Sequence, residues 1–111
     1  MAENRREFFR IKYDPNSAPF LLTLGLKIAV LDISEQGIKL SLPTGPGNSH
    51  YKVGAKLAGF VTFKTGERLF VSGLVSWRTT DSLSLKLSTR IPYHLIVSEQ
   101  RRLITLLRQK A

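Results

Sequence analysis

Three arginines fall within six residues, in Arg5-Arg6-Glu7-Phe8-Phe9-Arg10. A guanidinium is a planar fork of donors that holds phosphate oxygens or a guanine edge bidentately, and its flat face stacks on bases. Phe8 and Phe9 offer apolar anchors for the segment. A second constellation follows at Asp32-Ile33-Ser34-Glu35-Gln36-Gly37. At a strand end, Asp32 and Ser34 point to one face and Ile33 to the other. A carboxylate only accepts hydrogen bonds, and the Watson–Crick edge of guanine presents two adjacent N–H donors; Ser34 donates or accepts beside it. Gly37 either supplies a positive φ for the turn or lets a ligand approach the backbone closely. Taken singly, the first stretch reads as a solvated basic arm and the second as an ordinary hairpin corner. Taken together they read differently. Arginines alone suit phosphate, and a carboxylate in a phosphate site repels it. A ligand with both phosphates and a donor-rich base edge satisfies both, and a guanine nucleotide is such a ligand.

Two elements must bring these stretches together, and the rest of the chain has the pattern to do it. Tyr13 to Pro19 is dense in turn formers and predicts a loop. Phe20 to Ser34 is apolar and branched, interrupted by Gly25; it predicts either two strands with a tight turn or one strand bulged there. Ile38 to Leu42 alternates as a strand, and Pro43 to Gly54 predicts a long surface loop. Leu57–Phe63 and Leu69–Trp77 form a hairpin about Thr65-Gly66. Leu83, Leu85 and Leu87 alternate with Ser84 and Lys86 in the clearest half-buried strand. After Pro92 the period changes. Ile96, Leu103, Ile104 and Leu107 fall at helical spacings, with Ser98 as N-cap and Arg101, Arg102, Arg108 and Lys110 on the wet side. Five or six antiparallel strands followed by one helix predict an all-β barrel or sandwich with a C-terminal helix laid on it.

Composition bounds the partners. The chain has 111 residues, a net charge of +9 and no cysteine. It is expected to be one domain, to prefer anionic partners, and to suit a reducing cytoplasm. No apolar run reaches membrane-spanning length, and the charged N-terminus is no signal peptide.

Arg6-x-x-x-Arg10 followed by Asp32-x-Ser34-x-x-Gly37 resembles the RxxxR and [D/N]xSxxG motifs of the PilZ domain family. Val71 to Arg78 is similar to a later strand of that family, and the terminal helix has its counterpart. The resemblance implies a six-stranded antiparallel β-barrel and a bacterial receptor for cyclic di-GMP. It implies a single domain over residues 1–111, with a mobile arginine arm at 1–12, a barrel at 20–89 and a helix at 93–109. By the same resemblance Arg6 and Arg10 grip phosphates and guanine, while Asp32, Ser34 and Gly37 line the other side of the base. Arg5 ahead of the motif implies a stacked ligand dimer. The FFRI wording resembles domains joined to a second domain in flagellar-brake proteins, so the chain is expected to be a stand-alone adaptor or a fragment. Its partners are then cyclic di-GMP and a protein effector, without nucleic acid, as a monomer or homodimer. No cofactor is expected.

Other residues carry weaker signals. Trp77 shares strand parity with Val71 and Val75 and is expected in the core; Arg78 either reaches the ligand or water. His50 and His94 are too isolated for a metal or a catalytic dyad. Nothing resembles a nucleophile elbow, a P-loop or paired catalytic carboxylates, so no enzyme is expected. The alternative function is a basic barrel binding RNA or single-stranded DNA through Tyr51, Phe60, Phe63 and Phe70; these phenylalanines, however, read as alternating core residues. A third reading is an interaction module that has lost its ligand.

Overall fold

The computed structural model describes residues 10–42 and 51–110. Seven strands and one helix follow in order: β1 (Ile11–Lys12), β2 (Phe20–Thr23), β3 (Leu26–Ile33), β4 (Gly37–Ser41), β5 (Lys56–Thr62), β6 (Arg68–Arg78), β7 (Ser82–Leu87) and α1 (Tyr93–Lys110). All pairings are antiparallel. The order β3-β2-β5-β6-β7-β4 closes through β3–β4, giving a six-stranded barrel with β1 added on β3. Closure removes the free sheet edges that would otherwise invite pairing with another chain.

The interior follows from period-two alternation. Leu21, Ile28, Val30, Ile33, Ile38 and Leu40 face inward with almost no exposure, joined from the later strands by Val61, Val75, Leu83 and Leu85. Gly25 resolves the open question of residues 20–34 in favour of two strands, since Leu24 and Gly25 both have positive φ (53° and 76°) in a two-residue turn. Tight coiling requires glycine at two inward positions. A Cβ on Gly59 would lie 2.1 Å from the Leu22 carbonyl oxygen, and one on Gly73 would lie 2.2 Å from that of Lys86.

Period counting fails at one place on β6. A bulge shifts the register between Val75 and Trp77, so that Val75 faces Leu85 and Trp77 faces Ser84. The extra residue turns Trp77 outward and leaves it 52% exposed, correcting its expected place in the core. Phe60 and Phe70 are also outward. They take the opposite parity to Val61 and Val71, and among the aromatic candidates only Phe63 and Tyr51 are buried.

The helix closes one end. Leu95 and Ile96 are buried against the barrel and Leu103 packs on them, whereas Ile104 and Leu107 are exposed. The helix begins at Tyr93, where the Pro92 carbonyl accepts from Leu95 N–H, so Ser98 is interior to the helix and does not cap it. Arg102, expected on the wet side, is instead drawn inward by Glu99. Its Nε and Nη2 donate to the two carboxylate oxygens of Glu99 at 2.9 and 3.0 Å, and Nη2 also donates to the Ser17 carbonyl.

Candidate functional site

The two motifs meet on the outward face of β3. Arg10 precedes β1, whose Ile11 and Lys12 pair with Ile33 and Asp32. That pairing carries Arg10 over the end of β3, where its Nη1 donates to Asp32 Oδ1 at 2.8 Å. Asp32 faces outward because a register shift between Val30 and Asp32 reverses the alternation. It is nevertheless covered, with its side chain 8% exposed beneath an Arg10 that is 53% exposed. Register places Lys12 on one side of Asp32 and Lys39 on the other. Directly opposed residues share a face, so one carboxylate sits in a row of cations.

The turn after β3 is pinned by the backbone. Ser34 N–H donates to the Gly37 carbonyl, the Glu35 carbonyl accepts from Ile91 N–H, and the Gln36 carbonyl accepts from Leu87 N–H. Arg90 adds an ion pair to Glu35 at 3.7 Å. Ser34 is thereby held buried beside Asp32. Gly37 opens β4 and is not among the positive-φ residues, which corrects the first of its two expected roles. A Cβ there would sit 3.5 Å from the Leu85 carbonyl oxygen and 3.7 Å from Ser34 Oγ, an ordinary fit.

Arg10, Ser34 and Gly37 line one open groove of about 250 Å³, whose far wall is Ser76, Ser84 and Lys86. Lys39 pairs with Ser84, and Ser84 with Trp77, so the outward row from Asp32 ends on an exposed indole. Lys39 Nζ lies 5.9 Å from the Trp77 ring centroid. The groove itself offers Arg10 and Lys86 as cations for phosphate. The covered Asp32 carboxylate and the exposed Trp77 ring belong to the outward row beside it, as an acceptor for N–H donors and a face for stacking. Sequence parity misplaced Trp77 because the bulge is invisible to counting. Arg78 points elsewhere, its Nη1 donating to the Tyr51 carbonyl at 3.4 Å. Arg5, Arg6, Phe8, Phe9 and His50 lie outside the described residues.

A second polar cluster lies behind β1. Tyr13 Oη donates to Glu99 Oε1 at 2.5 Å, and Glu99 is buried. Burial and the neighbouring carboxylate push the Tyr13 hydroxyl far above its usual pKa, and the bond to Glu99 raises that of Arg102. This cluster ties the helix to the loop that follows β1 and so fixes the base of the Arg10 segment. Its sequence signal was the Glu99-x-x-Arg102 spacing, an i,i+3 pair. Among the described residues no group of His, Cys, Asp or Glu is placed to hold a metal, and no helix is long and apolar enough to cross a membrane.

The family model described as PilZ domain matches residues 4–109. No curated protein sequence matches the chain. Among solved structures, that of the Bacillus subtilis inhibitor of motility (MotI/DgrA) is similar, with a TM-score of 0.64 and 13% identity. The similarity covers 96% of this chain and 54% of that one. The chain therefore spans about half the length of that structure, and at this identity the likeness shows the fold.

Proposed function

The chain belongs to the PilZ domain family, a family of cyclic di-GMP receptor and adaptor domains, and on that premise we propose that it binds cyclic di-GMP at the Arg10–Asp32 corner. The observation that carries the reading is the carboxylate set in a cationic row. A purely phosphate-binding track has no use for Asp32 between Lys12, Lys39 and Arg10. A guanine base with its N1–H and N2–H donors does. Ser34 and the open face over Gly37 complete the base-edge contacts, and Arg10, Arg6 and Arg5 supply phosphate and stacking contacts. Trp77 at the end of the row gives a second purine-stacking face.

In the proposed mechanism, residues 1–9 close over the ligand and present a new surface to a protein effector in the cytoplasm. Arg10 to Lys12, within the arm expected over residues 1–12, are paired to β3. Ordering costs about 1–2 kcal/mol per residue in backbone entropy. Charge-assisted hydrogen bonds at roughly 1.5–3 kcal/mol each offset it. The half-exposed Arg10–Asp32 pair contributes about 1 kcal/mol or less by itself, so exchanging it for ligand contacts carries a small penalty. A stacked ligand dimer, held by Arg5, is part of the proposal.

Isothermal titration calorimetry tests it. Saturable heat with cyclic di-GMP, absent with GMP and abolished in Arg6→Ala and Arg10→Ala, supports the receptor. Equal heats for GMP, or none for either ligand, contradict it. One ligand per subunit contradicts the stacked dimer.

A further inference from the structure

Away from the groove, the barrel carries a second outward surface. Register sets Lys27, Leu22, Phe60 and Phe70 opposite one another across β3, β2, β5 and β6. Phe60 and Phe70 are 42% and 57% exposed and meet edge to face with ring centroids 5.3 Å apart. Leu22, Leu24 and Leu74 continue the exposed apolar surface. Single exposed leucines are ordinary, whereas a contiguous aromatic and aliphatic row marks an interaction site.

Leu24 is an independent observation. It stands 58% exposed at the tip of the β2–β3 turn with φ of 53°. Such tips ordinarily carry Asn, Asp or Gly, and an L residue with a branched side chain is strained there. The strain secures no buried contact in the chain itself, since Leu24 projects into solvent. Backbone strain of this kind gathers at functional surfaces.

The charges on three strands of the row have one sign. Strands β2, β5 and β6 contain no carboxylate; their charged residues are Lys56, Arg68 and Arg78. The Arg68 guanidinium lies 4.9 Å from the Phe60 centroid and Lys27 Nζ 4.4 Å from that of Phe20. The nearest carboxylate in sequence is Glu67, in the turn before β6.

We propose that this face binds an anionic lipid surface, with Leu24, Phe60 and Phe70 entering the interface and Lys27, Lys56 and Arg68 meeting headgroups. Aromatic side chains settle at the boundary between headgroup and acyl chain, and basic residues near an anionic leaflet gain about 1 kcal/mol each. The outward positions of β5 and of β6 up to Leu74 offer only Thr62 and Ser72 as uncharged hydrogen-bonding side chains. A protein interface needs about one hydrogen bond per 100–200 Å², and a bilayer makes no such directional demand. A single strand of nucleic acid needs open ring faces, yet the Phe60 face is taken by Arg68. The surface does not share residues with the groove and goes beyond the cyclic di-GMP reading.

Co-sedimentation of the chain with vesicles in about 150 mM salt tests the assignment. The chain is expected to bind vesicles of phosphatidylglycerol and phosphatidylcholine, and not phosphatidylcholine alone. Phe60→Ser with Phe70→Ser, and separately Leu24→Asn, should weaken binding at least tenfold while circular dichroism stays native. Arg101→Gln with Arg108→Gln removes two positive charges from the helix and should change it less than twofold. Each of these results overturns the proposal: no binding to anionic vesicles; equal loss from the helix variant; an unchanged Phe60/Phe70 variant; or a dimer in sedimentation equilibrium that this variant makes monomeric. A dT20 oligonucleotide that binds in a Phe60-dependent way, in place of vesicles, overturns it in favour of nucleic acid.

Discussion

Arg10 Nη1 lies 2.8 Å from Asp32 Oδ1, joining residues of two motifs that stand 22 positions apart in sequence. The pairing of β1 with β3 assembles this corner, carrying Arg10 over Asp32. Asp32→Asn keeps the shape of the site but adds a donor where an acceptor is needed. Cyclic di-GMP affinity should fall at least tenfold in calorimetry. Stability should change by about 1 kcal/mol or less in urea titration, because the partner arginine is half exposed.

Gly37 separates two explanations of a glycine. Its φ is not positive, and a Cβ there has room. Gly37→Ala should therefore leave Tm within a few degrees of the parent in a thermal melt. A bulkier Gly37→Val fills the mouth of the groove and should lower ligand affinity at least tenfold.

Trp77 stands outside the barrel. Removing a buried tryptophan costs about 3–5 kcal/mol; Trp77→Ala should cost about 1 kcal/mol or less in urea unfolding. The same variant should weaken cyclic di-GMP binding severalfold through the lost stacking face. A loss of several kcal/mol in stability would place the indole back in the core.

Tyr13 and Glu99 make a pH prediction. The Tyr13 hydroxyl keeps its proton in the folded state well above the ordinary value of 10.0, while the unfolded chain releases it there. With more protons bound when folded, stability falls as pH rises above about 10. The Tyr13 contribution is fully present below that pH. Tyr13→Phe should flatten this part of the stability curve. Arg102→Gln leaves the buried Glu99 short of its charged partner and should cost about 1.5–3 kcal/mol, read by chemical denaturation near neutral pH.

Much of this was legible before the fold was known. Alternation at Leu83, Leu85 and Leu87 and the change of period after Pro92 marked a small β-barrel or sandwich with a terminal helix, and the family resemblance chose the barrel. The family motifs pointed to Arg10, Asp32, Ser34 and Gly37; three of these line one groove, and Asp32 accepts a hydrogen bond from Arg10 beside it. The failures have separate causes. Trp77 was misplaced because a bulge inserts a residue and reverses facing, and Phe60 and Phe70 because hydrophobic type was taken over strand parity. The Glu99–Arg102–Tyr13 cluster was missed because a charged i,i+3 pair on a helix is usually solvated, and only the loop after β1 buries it.

The central claim is that the arginine segment and the Asp32–Gly37 turn contact the same guanine. Two-dimensional ¹H–¹⁵N NMR during titration with cyclic di-GMP tests it most directly. The account predicts saturable shifts at the amides of Arg10, Asp32, Ser34 and Gly37 and at the Trp77 indole N–H, with Leu22, Phe60 and Phe70 unmoved. Shifts confined to other faces of the barrel, with Arg10 and Asp32 silent at saturation, would contradict it.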